Sequence, residues 1–461
     1  MLSHLFQTFR FANDLKSRGH NVTYVFNDDQ MIDFVPTAIR EQAVSVPPGL
    51  RMKQFVESHG FHFYHLRLAG DLPDGESPSL LERLIPMIEW GRRMRMKTRE
   101  VNKSLIDGSA HRSLVQTLAP DLVVIEWPLG YYALPFLAWK IPVVMISPTW
   151  PSDYGDGAPL THSHLVPTSS RLNRYRCHLE WARFRAGFGA LRMLYASLVE
   201  NEFKNYRSVA ERYGLSFPDL IDNERYAGLM ARLRLPEICL CPSAFDLPRK
   251  PRPNRYFLDS GLGLEPPEEP DGDKLPWRRL KADTTTVYCA FGTRVPEHGP
   301  CKALARKALK TIIEAFSAQS RFQLVLCVGA NFDLTPFASA PDNIVIIKEW
   351  VSQIKLLRRA AVHITHGGFS SVRESIECQV PMIVIPFDSD QPGNAARVVY
   401  HGLGVRVFPR KVVGAKIVEL VKQIEASPTY KENLRRMKLE FDRQRARQSA
   451  ADLIESLLPT K

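Results

Sequence analysis

The residues best suited to chemistry lie between Glu349 and Val399, where two short apolar runs, Val362–Thr365 and Pro381–Phe387, flank the sequence His366-Gly367-Gly368-Phe369-Ser370-Ser371. Both runs are rich in β-branched residues and bounded by Gly or Pro, which predicts buried parallel strands. A helix-competent segment follows the glycines and runs to about Cys378. The order is therefore strand, glycine turn, helix, strand. Glycines at the mouth of a helix let a ligand approach the backbone, and the free amides and positive dipole end there favour an anion, most often a phosphate. Ser371 and Glu374, three apart, share a helical face. The hydroxyl suits a phosphate oxygen, and the carboxylate one turn deeper suits the paired hydroxyls of a ribose. Trp350 and Gln353 offer a flat apolar face and an amide for a base, while Asp388, Asp390 and Gln391 offer polar groups for sugar hydroxyls.

The spacing W-x-x-Q, T-H-G-G-x-x-S-x-x-E, V-P-M and P-x-x-x-D-Q-x-x-N-A spans about fifty residues, far more specific than a lone glycine motif. It resembles the donor-binding signature of the UDP-glycosyltransferases, inverting and metal-independent enzymes of the two-lobed GT-B fold. The resemblance implies that Trp350 stacks on uracil, Gln353 and Glu374 hold the ribose, and Asp390 and Gln391 hold the sugar. It assigns the diphosphate to His366 and Ser371, on the loop of Gly367, Gly368 and Ser370, with Thr293 as a second phosphate contact. Two positions depart from the pattern: Ser352 stands where proline is usual and Ser370 where asparagine is usual. Loss of that one amide is worth about 0.5–1.5 kcal/mol, up to about tenfold in affinity.

Elements must position these residues. Leu5 to Arg18 reads as an amphipathic helix closed by Gly19, and His20–Phe26 as a strand. Asp121–Ile125 reads as a strand ending in Glu126, followed by a helix over about Gly130–Trp139 and a strand at Pro142–Ile146. Trp181, Phe184, Phe188, Leu191, Tyr195 and Leu198 make one apolar helical stripe. It is read as packing on its own lobe, with an acceptor-pocket wall or a peripheral membrane contact as the alternative. Ile238–Cys241 reads as the last strand of the first lobe. The second lobe opens with a strand at Thr286–Phe291, a helix at Lys302–Ser317, and strands at Gln323–Val328 and Ile344–Ile347. Strands alternating with helices predict α/β architecture. The expectation is GT-B: two Rossmann-like parallel-sheet lobes, 1–248 and 286–461, joined by a Pro-, Gly- and charge-rich linker at 249–285, with the ligand in the cleft.

The length of 461 residues fits two domains, and the net charge of +12 is spread along the chain without a nucleic-acid motif, so no nucleic-acid partner is expected. Seven cysteines in no framework spacing favour a reducing, cytoplasmic setting. Arg10 and Asp14 interrupt any apolar leader, and no carboxyl-terminal anchor is read in the charged tail. Asp388-Ser389-Asp390 mimics a metal motif, but its neighbours fit sugar contact better, so no metal and no cofactor are expected.

The resemblance further implies a catalytic pair. His4 would be the general base on the hydroxyl of a small, apolar acceptor, and Glu126, where aspartate is usual, would orient its ring. The UDP-sugar would be a co-substrate. In that family a buried strand precedes the first helix, and burying its three or four large side chains at roughly 1.5–3 kcal/mol each rivals a domain's whole stability. The sequence is therefore expected to lack that strand at its start. The competing reading is a non-catalytic nucleotide-sugar-binding helper of the same fold. An epimerase is disfavoured by the W-x-x-Q and D-Q spacing.

Overall fold

The computed structural model describes the chain apart from residues 1, 28–47, 69–85, 199–201, 223–231, 260, 262–278, 282, 293–300, 330, 331, 334, 338, 349, 350 and 459–461. Two all-parallel sheets of four and six strands form the cores of two lobes, as expected of GT-B architecture, and a two-stranded parallel sheet joins the first lobe.

The first lobe begins with helix α1 (Leu2–Ser17), followed by β1 (Thr23–Phe26) and β2 (His62–His65), which among the described strands pair with each other. Strands β3 (Val123–Glu126), β4 (Val143–Ser147), β5 (Glu237–Cys239) and β6 (Arg255–Phe257) form the second sheet in that order. Helix α1 spans both. Phe9 and Ala12 pack with Val56 and Phe61 on the first, and Phe11 and Leu15 pack with Val144, Ile146 and Ile238 on the second. Strand β6 lies inside the stretch read as linker, where Pro and charge hide a three-residue strand.

The helix expected over Gly130–Trp139 is divided into a 3-10 segment, Trp127–Ala133, and a short helix, Leu134–Ala138, each opened by a proline. Proline cannot donate within a continuing helix, so each new segment starts where a proline stands. The apolar stripe lies on α2 (Arg171–Leu198). Trp181 is buried and donates Nε1 to the Ala158 carbonyl at 3.0 Å, and Phe184 meets it edge-on. The side chains of Phe188, Leu191, Tyr195 and Leu198 lie outside the described residues.

The second lobe runs β7 (Thr285–Ala290), α3 (Lys302–Ser317), β8 (Phe322–Cys327), β9 (Ile344–Ile347), α4 (Gln353–Leu357), β10 (Val362–Thr365) and α5 (Phe369–Glu377), then β11 (Met382–Val384), α6 (Gln391–Tyr400), β12 (Gly404–Arg406), α7 (Pro428–Arg447) and α8 (Ala450–Leu457). Its strand order is β12-β11-β10-β7-β8-β9. From β7 the chain winds outward to β8 and β9, then returns to place β10 on the other side of β7. Neighbouring strands whose connections leave in opposite directions open a crevice at their carboxyl ends, the place where such sheets bind ligands. Those ends are Gly292 and His366-Gly367-Gly368.

Helix α8, from the 286–461 stretch read as the second lobe, returns to the first. Leu453 and Ile454 join Phe11 and Leu15 in one apolar cluster. Arg18 pairs with Asp452 at 2.6 Å and Glu455 at 3.1 Å, but these exposed pairs are worth only about 0–1 kcal/mol each, so the apolar contact holds the helix. No helix among the described residues is long and apolar enough to cross a membrane.

Candidate functional site

The glycine turn is shaped by what its neighbours leave no room for. Gly367 has φ +83°, and a Cβ there would lie 2.5 Å from Val384 Cγ1. A Cβ at Gly368 or Gly292 would lie 2.5 Å or 2.9 Å from His366 Nε2. The two glycines, one after β10 and one after β7, therefore form the slot that holds the imidazole across the switch point. The ring hydrogen-bonds the Ala290 carbonyl, its Nδ1 has no partner among the described residues, and desolvation lowers its pKa to about 4. At neutral pH His366 is an uncharged hydrogen-bonding group.

Helix α5 starts at this turn with Gly368 as its N-cap. The amides of its first turn have no intrahelical partner and are left for other groups at this end of the helix. Ser370 and Ser371 stand among them. One turn further, Glu374 meets Gln353, which opens α4: Gln353 Nε2 makes a short hydrogen bond to Glu374 Oε2 and also reaches Ser371 Oγ at 3.3 Å. Gln353, Ser371 and Glu374, spread over 22 positions of sequence, thus form one cluster. Burial raises the pKa of Glu374 to about 7, with the Gln353 bond opposing the shift.

Sequence reasoning missed the residue behind this cluster. Tyr288 of β7 donates its hydroxyl to Gln353 Oε1 at 3.2 Å and stacks on His363 with ring centroids 4.9 Å apart. Its signal was strand alternation: Val287 and Cys289 enter one core cluster, while Tyr288 and Ala290 enter another on the opposite face. A buried phenol needs a polar partner, and the amide of Gln353 supplies it.

The turn after β11 divides the remaining expected residues. Gln391 is 5% exposed and its amide is occupied by its own turn, accepting from the Phe387 and Asp388 amides and donating to Asp388 Oδ1 at 3.0 Å. Asp390 stays half-buried at the rim and accepts from Asn394 Nδ2 at 2.9 Å. Asn394 also donates to the Gly367 carbonyl at 2.9 Å and accepts from Trp150 Nε1 of the first lobe at 3.1 Å. One amide thus ties the glycine loop, the Asp390 turn and the other lobe together. Beside it the Arg397 guanidinium lies 4.3 Å from the Trp150 ring centroid and pairs with Asp246 at 2.7 Å.

Trp350 and Thr293 lie outside the described residues. His4 lies in α1, but its side chain is also outside them. Three positions on, and so on the same helical face, Gln7 donates to Ser370 Oγ across the cleft at 3.4 Å. Glu126 ends β3, half-buried. Among the described residues no group of three or more His, Cys, Asp or Glu could hold a metal ion.

Residues 304–444 match the family model described as "UDP-glucoronosyl and UDP-glucosyl transferase". This stretch of the second lobe is therefore similar to the UDP-glycosyltransferase family. Over 146 residues, 32% of this chain and 36% of the relative, it is 32% identical to an NDP-glycosyltransferase of Bacillus licheniformis. The matched stretch spans about a third to a half of the length of the first curated relatives. Over the whole chain the glycosyltransferase of kitacinnamycin shares the fold, with a TM-score of 0.66, 21% identity, and 99% of this chain and 96% of that one covered. Glycosyltransferase VinC, solved in complex with dTDP, follows at a TM-score of 0.59 and 16% identity, covering 99% and 96%. The family match includes α5, Gln353 and the Asp390 turn; the fold likeness extends to both lobes.

Proposed function

We propose that this protein is a UDP-glycosyltransferase that transfers a hexose from a UDP-sugar, UDP-glucose or a close analogue, to a hydroxyl of a small apolar acceptor, with inversion and without a metal. The observation that carries the reading is the convergence of Gln353, Ser371 and Glu374 at the amino end of α5, in the crevice between β7 and β10. Glu374 and Gln353 would take the ribose, the first-turn amides of α5 with Ser370 and Ser371 the diphosphate, and Asp390 the sugar. The acceptor oxygen attacks C1, the C1–O bond to the diphosphate breaks on the opposite face, and configuration inverts. His4 would take the acceptor's proton and Glu126 would steady the resulting imidazolium. Charge developing on the leaving diphosphate falls on fixed amides and a helix dipole.

The test is incubation of the protein with UDP-glucose, EDTA and a panel of phenolic and sterol acceptors. Glycosylated product supports the reading. UDP-stabilised folding without transfer to any acceptor would instead favour the non-catalytic helper.

A pH dependence follows from Glu374. Ribose hydroxyls donate to an ionised carboxylate, and the bond from Gln353 falls on Glu374 Oε2. With a pKa of about 7, ionisation rises from roughly a tenth at pH 6 to nine-tenths at pH 8. Uridine, which carries no titrating phosphate, should bind about tenfold more tightly at pH 8 than at pH 6, and Glu374→Gln should abolish that slope. Stability runs the other way. A carboxyl whose folded pKa is raised contributes fully below its unfolded value of 4.5, and that contribution is lost as pH rises toward 7. Calorimetric titration at the two pH values reads the binding effect, and a flat wild-type profile would remove Glu374 from the ribose site.

A further inference from the structure

The first lobe sends into the cleft a side chain that the sequence motifs do not single out. Gln7 is 6% exposed, its Nε2 reaches Ser370 Oγ at 3.4 Å, and its Oε1 is buried with no hydrogen-bond partner among the described residues. A neutral contact at the long end of the hydrogen-bond range does little to offset the desolvation of a whole amide. The neighbouring buried positions of α1 are Phe9, Phe11, Ala12 and Leu15, so packing alone would be served better by an apolar side chain. An amide kept at this position, half satisfied and beside the first turn of α5, fits a ligand that brings both an anion and hydroxyl donors.

We propose that Gln7 is a donor-contacting residue of the first lobe. In the occupied cleft Nε2 donates to an oxygen of the diphosphate seated on α5, and Oε1 accepts from a hydroxyl of the transferred sugar. Ser370, released from Gln7, turns its own hydroxyl to the phosphate. The site is then complete only when the lobes are together, because α1 supplies one of its donors. This inference rests on the donor-site reading above and adds to it a residue outside the matched 304–444 stretch.

The experiment measures the affinities of UDP, dTDP and uridine by calorimetry for the wild type, Gln7→Met and Gln7→Glu, with a melting curve for each. Gln7→Met keeps the length and apolar packing and removes both hydrogen-bonding groups. It should bind the nucleoside diphosphates about tenfold more weakly, bind uridine as the wild type does, and melt no lower. Gln7→Glu, nearly the same shape but facing the diphosphate with a carboxylate, should lose more than Gln7→Met, and again only for the diphosphates. Wild-type affinity for UDP and dTDP in Gln7→Met, or an equal loss for uridine, overturns the inference while leaving the donor site standing. A wild type that binds neither diphosphate overturns the donor-site reading and this inference with it.

Discussion

His4→Ala is expected to slow sugar transfer by about 10²–10⁴-fold, the usual contribution of a general base, while UDP affinity stays nearly unchanged. The separation follows from where α1 lies. Its Gln7 reaches Ser370 at the start of α5, and position 4 precedes Gln7 by three residues on the same helix. On the proposed mechanism the substitution removes the group that takes the acceptor's proton and leaves the nucleotide's contacts intact. Steady-state kinetics with UDP-glucose and the best acceptor from the panel, beside UDP titration of the same variant, give the two numbers. The transfer should also lose the pH dependence that an imidazole imposes. Undiminished turnover would show that the proton goes elsewhere, and a parallel loss of UDP binding would mean the substitution had disturbed the fold.

Gly393→Ala is expected to be the most damaging single methyl at the lobe junction. A Cβ at Gly393 would lie 1.9 Å from the Thr161 carbonyl oxygen and 2.8 Å from its carbon. Both are backbone atoms, so no rotamer change relieves the clash, and α6 must move away from the first lobe. That movement pulls on Trp150 Nε1 to Asn394 and on Arg397 to Asp246, both buried. Overpacking costs about 1–3 kcal/mol before those bonds are counted, and each kcal/mol lowers Tm by about 2–4 °C in domains of this size. UDP affinity should fall as well, because Asn394 also holds the Gly367 carbonyl. A melting curve and a UDP titration check both effects, and an unchanged Tm would show that the lobes are not in contact at Thr161.

The second lobe was legible where the signal is local. Val362–Thr365, Ile344–Ile347 and Lys302–Ser317 form the strands and helix expected, because short β-branched runs favour strands and a sustained 3.6-residue apolar period favours a helix. The spacing of Ser371 and Glu374 placed them on one helical face, and the structure brings Gln353 to them. Where local rules competed, the reading blurred. Pro128 and Pro135 divided the helix read over Gly130–Trp139, and β6 was too short to stand out in a Pro-rich stretch.

Gln391 shows the limit most plainly. By type and place it suits a sugar, yet its amide closes the turn at Phe387 and Asp388. A buried amide bonds to whatever lies nearest, and which group that is depends on how the turn folds, with Ser389 at φ +59°.

The sequence by itself determined the kinds of elements in the second lobe, the glycine turn between β10 and α5, and the family pattern that runs through them. The tertiary structure alone decided that β10 lies beside β7 so that Gly292 and Gly368 enclose His366, that Tyr288 backs Gln353, that α8 returns to the first lobe, and that Gln7 meets Ser370. The physical reason is range. Element type follows from side chains within one or two turns of one another, whereas strand order and lobe contact join residues as far apart as positions 7 and 370, and only the packed chain brings those together.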